Sequence, residues 1–182
     1  MDTWEARDAS RDADARRERW LLQLVDQHGD AAYRTAYRLL RDRHDAHDAV
    51  QDALTTAFRR WDELRSEDAA RGWFFRILVN RCISRQRRNA VRTRALGILG
   101  LAPEPRAADD TVTTDVGEHV LPHLMRLPIK QRTALILRFG DDRSVDEIAA
   151  AMNIGTESVK THLKRGLAEL RKRLHADAGG TR

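Results

Sequence analysis

The sequence predicts an all-α protein made of two small helical domains joined by a flexible linker. Apolar residues recur at three- and four-residue spacing in both halves of the chain, which is the period of a helix that buries one stripe. Between the halves, the segment 103–118 contains two prolines, five acids and one arginine, without helical or strand periodicity, as is typical of a linker. The predicted units are a charged N-terminal segment at 1–17, a first domain at 18–90, a linker at 91–117, a second domain at 118–176 and a tail at 177–182.

The length, charge and cysteine content of the chain limit the classes of protein to which it can belong. A chain of 182 residues suffices for one ordinary domain or two small ones, and its net charge of +5 favours a polyanionic partner. The single cysteine, Cys82, excludes an internal disulfide framework and suits a reducing compartment. No apolar run approaches membrane-spanning length, and the charged N-terminus does not look like a signal peptide. We therefore expect a cytoplasmic protein without a membrane partner.

Four helices are predicted in the first domain. The first covers 19–27, the second follows Gly29 and ends near Leu40, and the third covers 45–61 with an apolar face that includes Ala49 and Val50. We expect Asp45 to cap the third helix. On the outer face of this helix lies an acidic strip, which is either solvated surface or a docking site; it is formed by Asp48, Gln51 and Asp52.

The fourth helix, GWFFRILVNRCISRQRR, has an apolar side and a basic side. Its core-facing residues are predicted to be Phe74, Phe75, Leu78, Val79 and Cys82, and the opposite side carries Arg76, Asn80, Ser84 and Arg87 or Arg88, with Trp73 at its edge. Arginines neutralise phosphates, an amide can hydrogen-bond and an aromatic ring can stack on an unpaired base, so this mixture suits nucleic acid. Taken alone, however, the helix is better explained by a core tryptophan and a solvated basic face than by binding to nucleic acid.

The second domain shows the pattern of a helix-turn-helix. The segment IKQRTALILRFG is predicted to be a helix whose core residues are Ala134, Leu135, Ile136, Leu137 and Phe139. Ser144 and Glu147 form a predicted capping box for the short helix VDEIAAAM, and Asn153 is expected to end that helix in a left-handed conformation. The helix that follows has a basic polar face. A second helix of this kind enters the major groove by its N-terminal part, so the second domain is predicted to bind DNA.

Three segments in order resemble the extracytoplasmic-function (ECF) sigma factors of bacterial RNA polymerase. DRHDAHDAVQDALTTAF resembles the family's core-polymerase-binding helix, and WFFRILVNRCISRQRR resembles its −10-recognition helix in region 2. LPIKQRTALILRFGDDRSVDEIAAAMNIGTESVKTHLKRGLAELRKRL resembles the −35-binding region 4. The resemblance implies a region 2-like helical bundle and a region 4-like helix-turn-helix. It also implies a factor that directs promoter-specific initiation and aids strand opening, with core RNA polymerase and promoter DNA as partners. The resemblance also allows an anti-sigma factor as a third partner.

The resemblance also implies roles for individual residues. Contacts to the −10 element are expected from Trp73, Arg76, Asn80, Arg81, Ser84, Arg85 and Arg88. Contacts to the −35 element are expected from Thr156, Ser158, Lys160, Thr161, Lys164 and Arg165. Contacts to the polymerase are expected from Asp45, Asp48, Val50, Gln51 and Asp52.

Other classes of protein find less support in the sequence. His44 and His47 lie beside two aspartates, but no separated second cluster completes a metal site, so neither metal nor cofactor is predicted. Because no glycine-rich phosphate loop, nucleophile elbow or paired-carboxylate signature is present, we expect no enzyme. The main alternative is a free-standing helix-turn-helix regulator whose first half senses a signal or dimerises, although such a module does not need the arginine-rich fourth helix. A helical adaptor that binds acidic proteins is a further alternative, which salt-dependent binding to promoter DNA would test.

Overall fold

The computed structural model of the protein describes residues 3–64, 66, 69–101 and 119–179, and the described residues contain helices and turns but no strand. The all-α prediction is therefore confirmed. In chain order the helices are α1 (Thr3–Leu40), α2 (Arg43–Arg59), a 3₁₀ turn (Trp61–Glu63), α3 (Ala70–Ile98), α4 (Leu121–Met125), α5 (Ile129–Leu135) with a following π-helical turn (Ile136–Gly140), α6 (Val145–Met152) and α7 (Thr156–Gly179).

Helix α1 is continuous where the sequence predicted two helices separated at Gly29. That prediction was wrong. Glycine keeps its backbone N–H, so it weakens a helix by about 1 kcal/mol relative to alanine without breaking the hydrogen-bond ladder. Burial of Trp20 and Leu24 before Gly29, and of Ala32 and Tyr37 after it, holds both parts of α1 against the same core.

The first domain is a bundle of α1, α2 and α3. Helix α2 contributes four buried alanines at three- and four-residue spacing, and their small side chains leave room for large ones from α1 and α3: Ala46, Ala49, Ala53 and Ala57. Its N-cap is Asp42, whose side chain accepts a hydrogen bond from the backbone N–H of Asp45 at 2.8 Å. The expectation that Asp45 caps this helix was therefore wrong, because the helix begins at Arg43.

Helix α3 extends to Ile98 and so includes 91–98 of the segment assigned to the linker. Val91 and Ile98 on this extension are exposed. The remainder of the predicted linker at 102–117, residues 1–2 of the N-terminal segment and residues 180–182 of the tail lie outside the described residues.

The second domain contains the predicted helix-turn-helix, α6 and α7. Ser144 accepts a hydrogen bond from the N–H of Glu147 at 3.1 Å, and Glu147 accepts one from the N–H of Ser144 at 2.9 Å, which confirms the capping box. Asn153 has φ 53° and ψ 50°, which confirms the left-handed end of α6. Phe139 was expected in the core but is 60% exposed. In an α-helix it would follow Leu135 by one turn on the same side, whereas the wider π-helical turn rotates it towards solvent.

We expect Ser144→Ala to destabilise the protein by about 1 kcal/mol, because it removes one acceptor of the capping box. Urea unfolding followed by circular dichroism measures this loss. Ser84→Ala is the matched control, since Ser84 is exposed within α3 and alanine is the better helix former there. Equal stability of the two variants would contradict an energetic role for the box.

Candidate nucleic-acid interface

Helix α7 presents a basic edge from its first turns. Ser158, Lys160, Thr161, Lys164 and Arg165 are exposed and Thr156 is half-buried, so the residues expected to contact the −35 element lie where a ligand could approach. The opposite side of α7 is fixed to the core by Val159, which is fully buried. Gly166 lets α7 approach α5 closely, because a Cβ there would lie 3.0 Å from Cδ1 of Leu135.

Two titratable groups on this edge have shifted pKa values. The Nζ of Lys160 donates a hydrogen bond to Glu157 at 2.6 Å, and this bond raises the pKa of Lys160. His162, which is half-buried, has a pKa lowered first by burial and then by the nearby charges of Lys130 and Arg165. His162 is therefore neutral at neutral pH, and the positive charge of the edge comes from its lysines and arginine.

A concave cleft lies between α2, α3 and the end of α6. Four of the residues expected to contact the −10 element line this cleft, namely Arg76, Asn80, Arg81 and Ser84, together with Thr56, Arg60, Ile77 and Asn153. We call it the α3 cleft. Its polar groups are partly engaged: Arg81 donates a hydrogen bond to Oγ1 of Thr56 at 2.9 Å, and the Asn80 amide donates one to the carbonyl of Arg76 at 2.8 Å. The cleft combines guanidinium, amide and hydroxyl groups, which suits the backbone and base edges of DNA.

Trp73 lies beside this cleft in a cluster of tryptophans that the sequence did not predict. Its ring centroid is 6.2 Å from that of Trp20, and Trp20 meets the edge of Trp61 at 4.7 Å. Trp20 is buried, whereas Trp73 is only half-buried and also lines a shallow pocket with Arg76 and Ala150. The cluster fixes the position of the Trp73 ring and leaves part of it accessible. The three tryptophans are far apart in sequence, so no local pattern indicated their contact.

The structure joins two sites that the sequence predicted separately. Arg85, expected to contact DNA, donates hydrogen bonds to Asp45 at 2.9 Å and Asp48 at 2.7 Å, and its Nη1 lies 4.0 Å from Asp52. Burial lowers the pKa of Arg85, but hydrogen bonds and charge from Asp48 and Asp45 outweigh that effect, so its pKa is raised. Asn89, which was not among the predicted site residues, also donates to Asp45 at 2.9 Å.

When Asp45 is added to the acidic strip of Asp48, Gln51 and Asp52, these contacts divide the strip into an inner part, Asp45, and an outer part. The Asp45 side chain is only 16% exposed and connects α2 to α3, whereas those of Asp48 and Asp52 are 53% and 58% exposed. Gln51 is exposed beside them and Val50 is half-buried. Arg88, on the other side of the same surface pocket, is exposed. Asp48, Gln51 and Asp52 thus form the part of the strip that a partner can reach.

His44 and His47 lie on α2 next to two carboxylates that have another partner. His44 and His47 are exposed, and the neighbouring carboxylates of Asp45 and Asp48 bind Arg85. Within the described part of the chain, no group of three or more His, Cys, Asp or Glu residues is arranged to hold a metal ion. Burial raises the pKa of the Cys82 thiol to about 12, which keeps it protonated within the core.

Both domains match models of known protein families. The family model described as Sigma-70 region 2 matches residues 24–92, and that described as Sigma-70, region 4 matches residues 124–170. The ECF RNA polymerase sigma factor SigM of Mycobacterium tuberculosis is 32% identical over 152 residues, which cover 84% of this chain and 76% of SigM. The chain belongs to the ECF RNA polymerase sigma factors. The family suggested by the three sequence segments is therefore confirmed.

Further relatives extend the similarity of this sigma factor over most of its length. The RNA polymerase sigma-E factor of Streptomyces avermitilis is 32% identical over 156 residues, covering 85% of this chain and 84% of the relative. SigW of Bacillus subtilis is 29% identical, covering 83% of this chain and 87% of SigW. Among solved structures, CnrH in complex with the cytosolic domain of CnrY is 26% identical, with a TM-score of 0.62 over 90% of this chain and 96% of CnrH.

The family assignment establishes the general activity of this sigma factor. It partners core RNA polymerase and promoter DNA and supports promoter-directed transcription initiation. None of the described helices is both long and apolar enough to cross a membrane. The region 2 match includes the acidic strip and every lining residue of the α3 cleft except Asn153. The region 4 match includes Asn153 and the basic edge of α7 as far as Leu170.

Proposed function

We propose that the α3 cleft binds the −10 element, that the basic edge of α7 binds the −35 element, and that the outer acidic strip binds core polymerase. The observation that carries this proposal is the presence of a basic surface in each matched region, together with the exposed carboxylates of the outer acidic strip. Basic surfaces suit the phosphates of promoter DNA, whereas Asp48 and Asp52 suit a basic protein surface. The role is binding rather than catalysis, and it places the protein where the polymerase acts, in the cytoplasm.

A protein inhibitor of the anti-sigma type is a further proposed partner, because CnrH is a relative that binds a second protein, the cytosolic domain of CnrY. Reconstitution with core polymerase on genomic DNA, followed by mapping of transcript start sites, tests the proposed activity. Start sites that share −10 and −35 sequences and require this sigma factor are the expected result. Start sites that are unchanged when the factor is left out would contradict the proposal.

We expect Asn80→Ala to slow open-complex formation on a duplex promoter much more than on a promoter with a premelted bubble. Asn80 lines the α3 cleft with Arg76, and Arg76 also lines a second pocket with Trp73, which is on the same helix. An amide and an aromatic ring there would stabilise an extruded base by hydrogen bonding and stacking. The measurement is the rate at which heparin-resistant complexes form on the two templates.

Asn89→Ala is the control for this experiment. It removes the same side chain from the same helix, but Asn89 contacts Asp45 and does not line the α3 cleft. We expect the control to affect both templates alike. Equal defects of Asn80→Ala on duplex and premelted promoters would argue against a role in opening.

A further inference from the structure

Three basic side chains lie together where α7 packs on α5. His162 and Arg165 are three residues apart on α7 and therefore share one side of that helix, and Lys130 belongs to the start of α5. The two helices are in close contact here, because a Cβ at Gly166 would lie 3.4 Å from Cβ of Gln131, the residue next to Lys130. Lys130 and Arg165 are exposed and His162 is half-buried. We call Lys130, His162 and Arg165 the α5–α7 basic cluster.

The free protein does not stabilise the charged form of His162. Its Nδ1 is buried and, within the part of the chain that the structure describes, has no hydrogen-bond partner. The neutral imidazole ring has one N–H donor, whereas the protonated ring has two and needs an acceptor for each of them. Burial, followed by the charges of Lys130 and Arg165, lowers the pKa of His162. The ring is therefore neutral at neutral pH, and the basic cluster carries two positive charges.

Charged groups on the other helices that pack against α7 act on other parts of it. From α4, Nε2 of His123 pairs with Asp177 at 3.1 Å, near the C-terminal end of α7. From α6, the carboxylate of Asp146 interacts electrostatically with Lys160. Neither acid is among the charges that shift the pKa of His162, so a bound ligand has to supply the negative charge that the protonated ring needs.

We propose that the α5–α7 basic cluster binds a backbone phosphate of the −35 duplex and that His162 takes up a proton from solvent when this phosphate binds. The proposal rests on the proposed −35 function of the basic edge of α7, and it extends the DNA-binding surface to α5. A phosphate oxygen accepts a hydrogen bond from the protonated ring, and the phosphate charge offsets the repulsion from Lys130 and Arg165. The ring loses this proton again when the DNA leaves.

Proton uptake makes −35 binding depend on pH. In the complex, the phosphate raises the pKa of His162 above its lowered value in the free protein. The added affinity is therefore fully present below the pKa of the free protein and is lost as pH rises through the pKa of the complex. Since lysine and arginine keep their charge throughout this range, the pH dependence reports on the histidine.

The first test compares the parent protein with His162→Gln, each assembled with core polymerase, on a duplex that carries the −35 element. Fluorescence anisotropy gives the Kd of each holoenzyme at about pH 6 and about pH 8, at constant ionic strength. Glutamine keeps a polar side chain but cannot take up a proton. The two holoenzymes should bind equally at the higher pH, and the parent should bind about tenfold more tightly at the lower pH, the effect of one charged hydrogen bond. The ratio of the two Kd values at each pH removes any titration of the polymerase.

His175→Gln is the matched control, because His175 is an exposed histidine near the C-terminal end of the same helix. We expect this variant to keep the pH dependence of the parent. If His162→Gln shows the same pH dependence as the parent, or if the parent shows none, His162 does not take up a proton and the proposal is wrong.

Lys130→Ala tests the phosphate contact by a second measurement. Lys130 is exposed, so the change leaves the core intact, and loss of one phosphate contact should reduce the salt slope of −35 binding by about 1. An unchanged salt slope would show that α5 does not contact the DNA backbone and would overturn the proposed cluster. A parent holoenzyme that does not bind the −35 duplex at either pH would instead contradict the proposed function, so the two failures are distinguishable.

Discussion

We expect Asp48→Lys combined with Asp52→Lys to abolish binding of this sigma factor to core RNA polymerase. Both carboxylates lie on the outer part of the acidic strip, and their side chains are more than half exposed. The segment 71–94 has eight arginines and no acid, so α3 cannot offer an acidic surface to the polymerase. Like charges placed opposite each other in an interface cost several kcal/mol, which is enough to remove a stable complex. A pull-down with core polymerase measures the loss.

Asp26→Lys combined with Asp30→Lys is the control for this charge reversal. Asp26 and Asp30 are exposed on α1, so the pair changes the net charge equally without altering the acidic strip. Because Arg85 donates a hydrogen bond to Asp48, urea unfolding of both variants must show that the fold persists. Polymerase binding that survives the reversal at 48 and 52 would show that core polymerase contacts another surface, and the assignment of Asp48 and Asp52 to that contact would be wrong.

Local rules predicted the helix-turn-helix well. A serine followed three residues later by a glutamate determines a capping box, and an asparagine at a helix end tolerates the left-handed conformation, so Ser144, Glu147 and Asn153 took their expected places. The buried side of α3 was also predicted correctly, because the spacing of Phe74, Leu78 and Cys82 indicates one helix face.

Features that depend on contacts distant in sequence were not predicted. The continuity of α1 through Gly29 depends on packing against α2 and α3. The sequence shows only a glycine, which is often a signal that a helix ends, and it does not show this packing. Arg85 was assigned to DNA and Asp45 to polymerase from their separate motifs, yet their side chains bind each other 40 residues apart. The hydrogen bond that Thr35 donates to Asp141 spans 106 residues, and neither residue belongs to a recognisable pattern.

We expect Lys160→Ala combined with Arg165→Ala to remove most −35-dependent transcription. Both side chains are exposed in the N-terminal half of α7, the part of a recognition helix that meets base edges and phosphates. Removal of a base contact should weaken −35 binding by about 1–3 kcal/mol, and removal of a phosphate contact should reduce the salt slope by about 1. Lys160 exchanges Glu157 for DNA on binding, and since both side chains are largely exposed, the cost of separating them is small.

We expect −35-dependent transcription to depend on where the positive charge lies along α7, and not on the total charge of the helix. Arg171→Ala combined with Lys172→Ala removes two exposed positive charges from the same helix, but beyond the part expected to enter the groove. This control should retain −35 specificity and show only the weaker affinity that follows from a lower net charge. Transcription from promoters with and without a −35 element, measured over a range of salt concentrations, separates the two effects. If both double variants lose activity equally on both promoters, α7 supplies general charge, and the assignment of Lys160 and Arg165 to the −35 element is wrong.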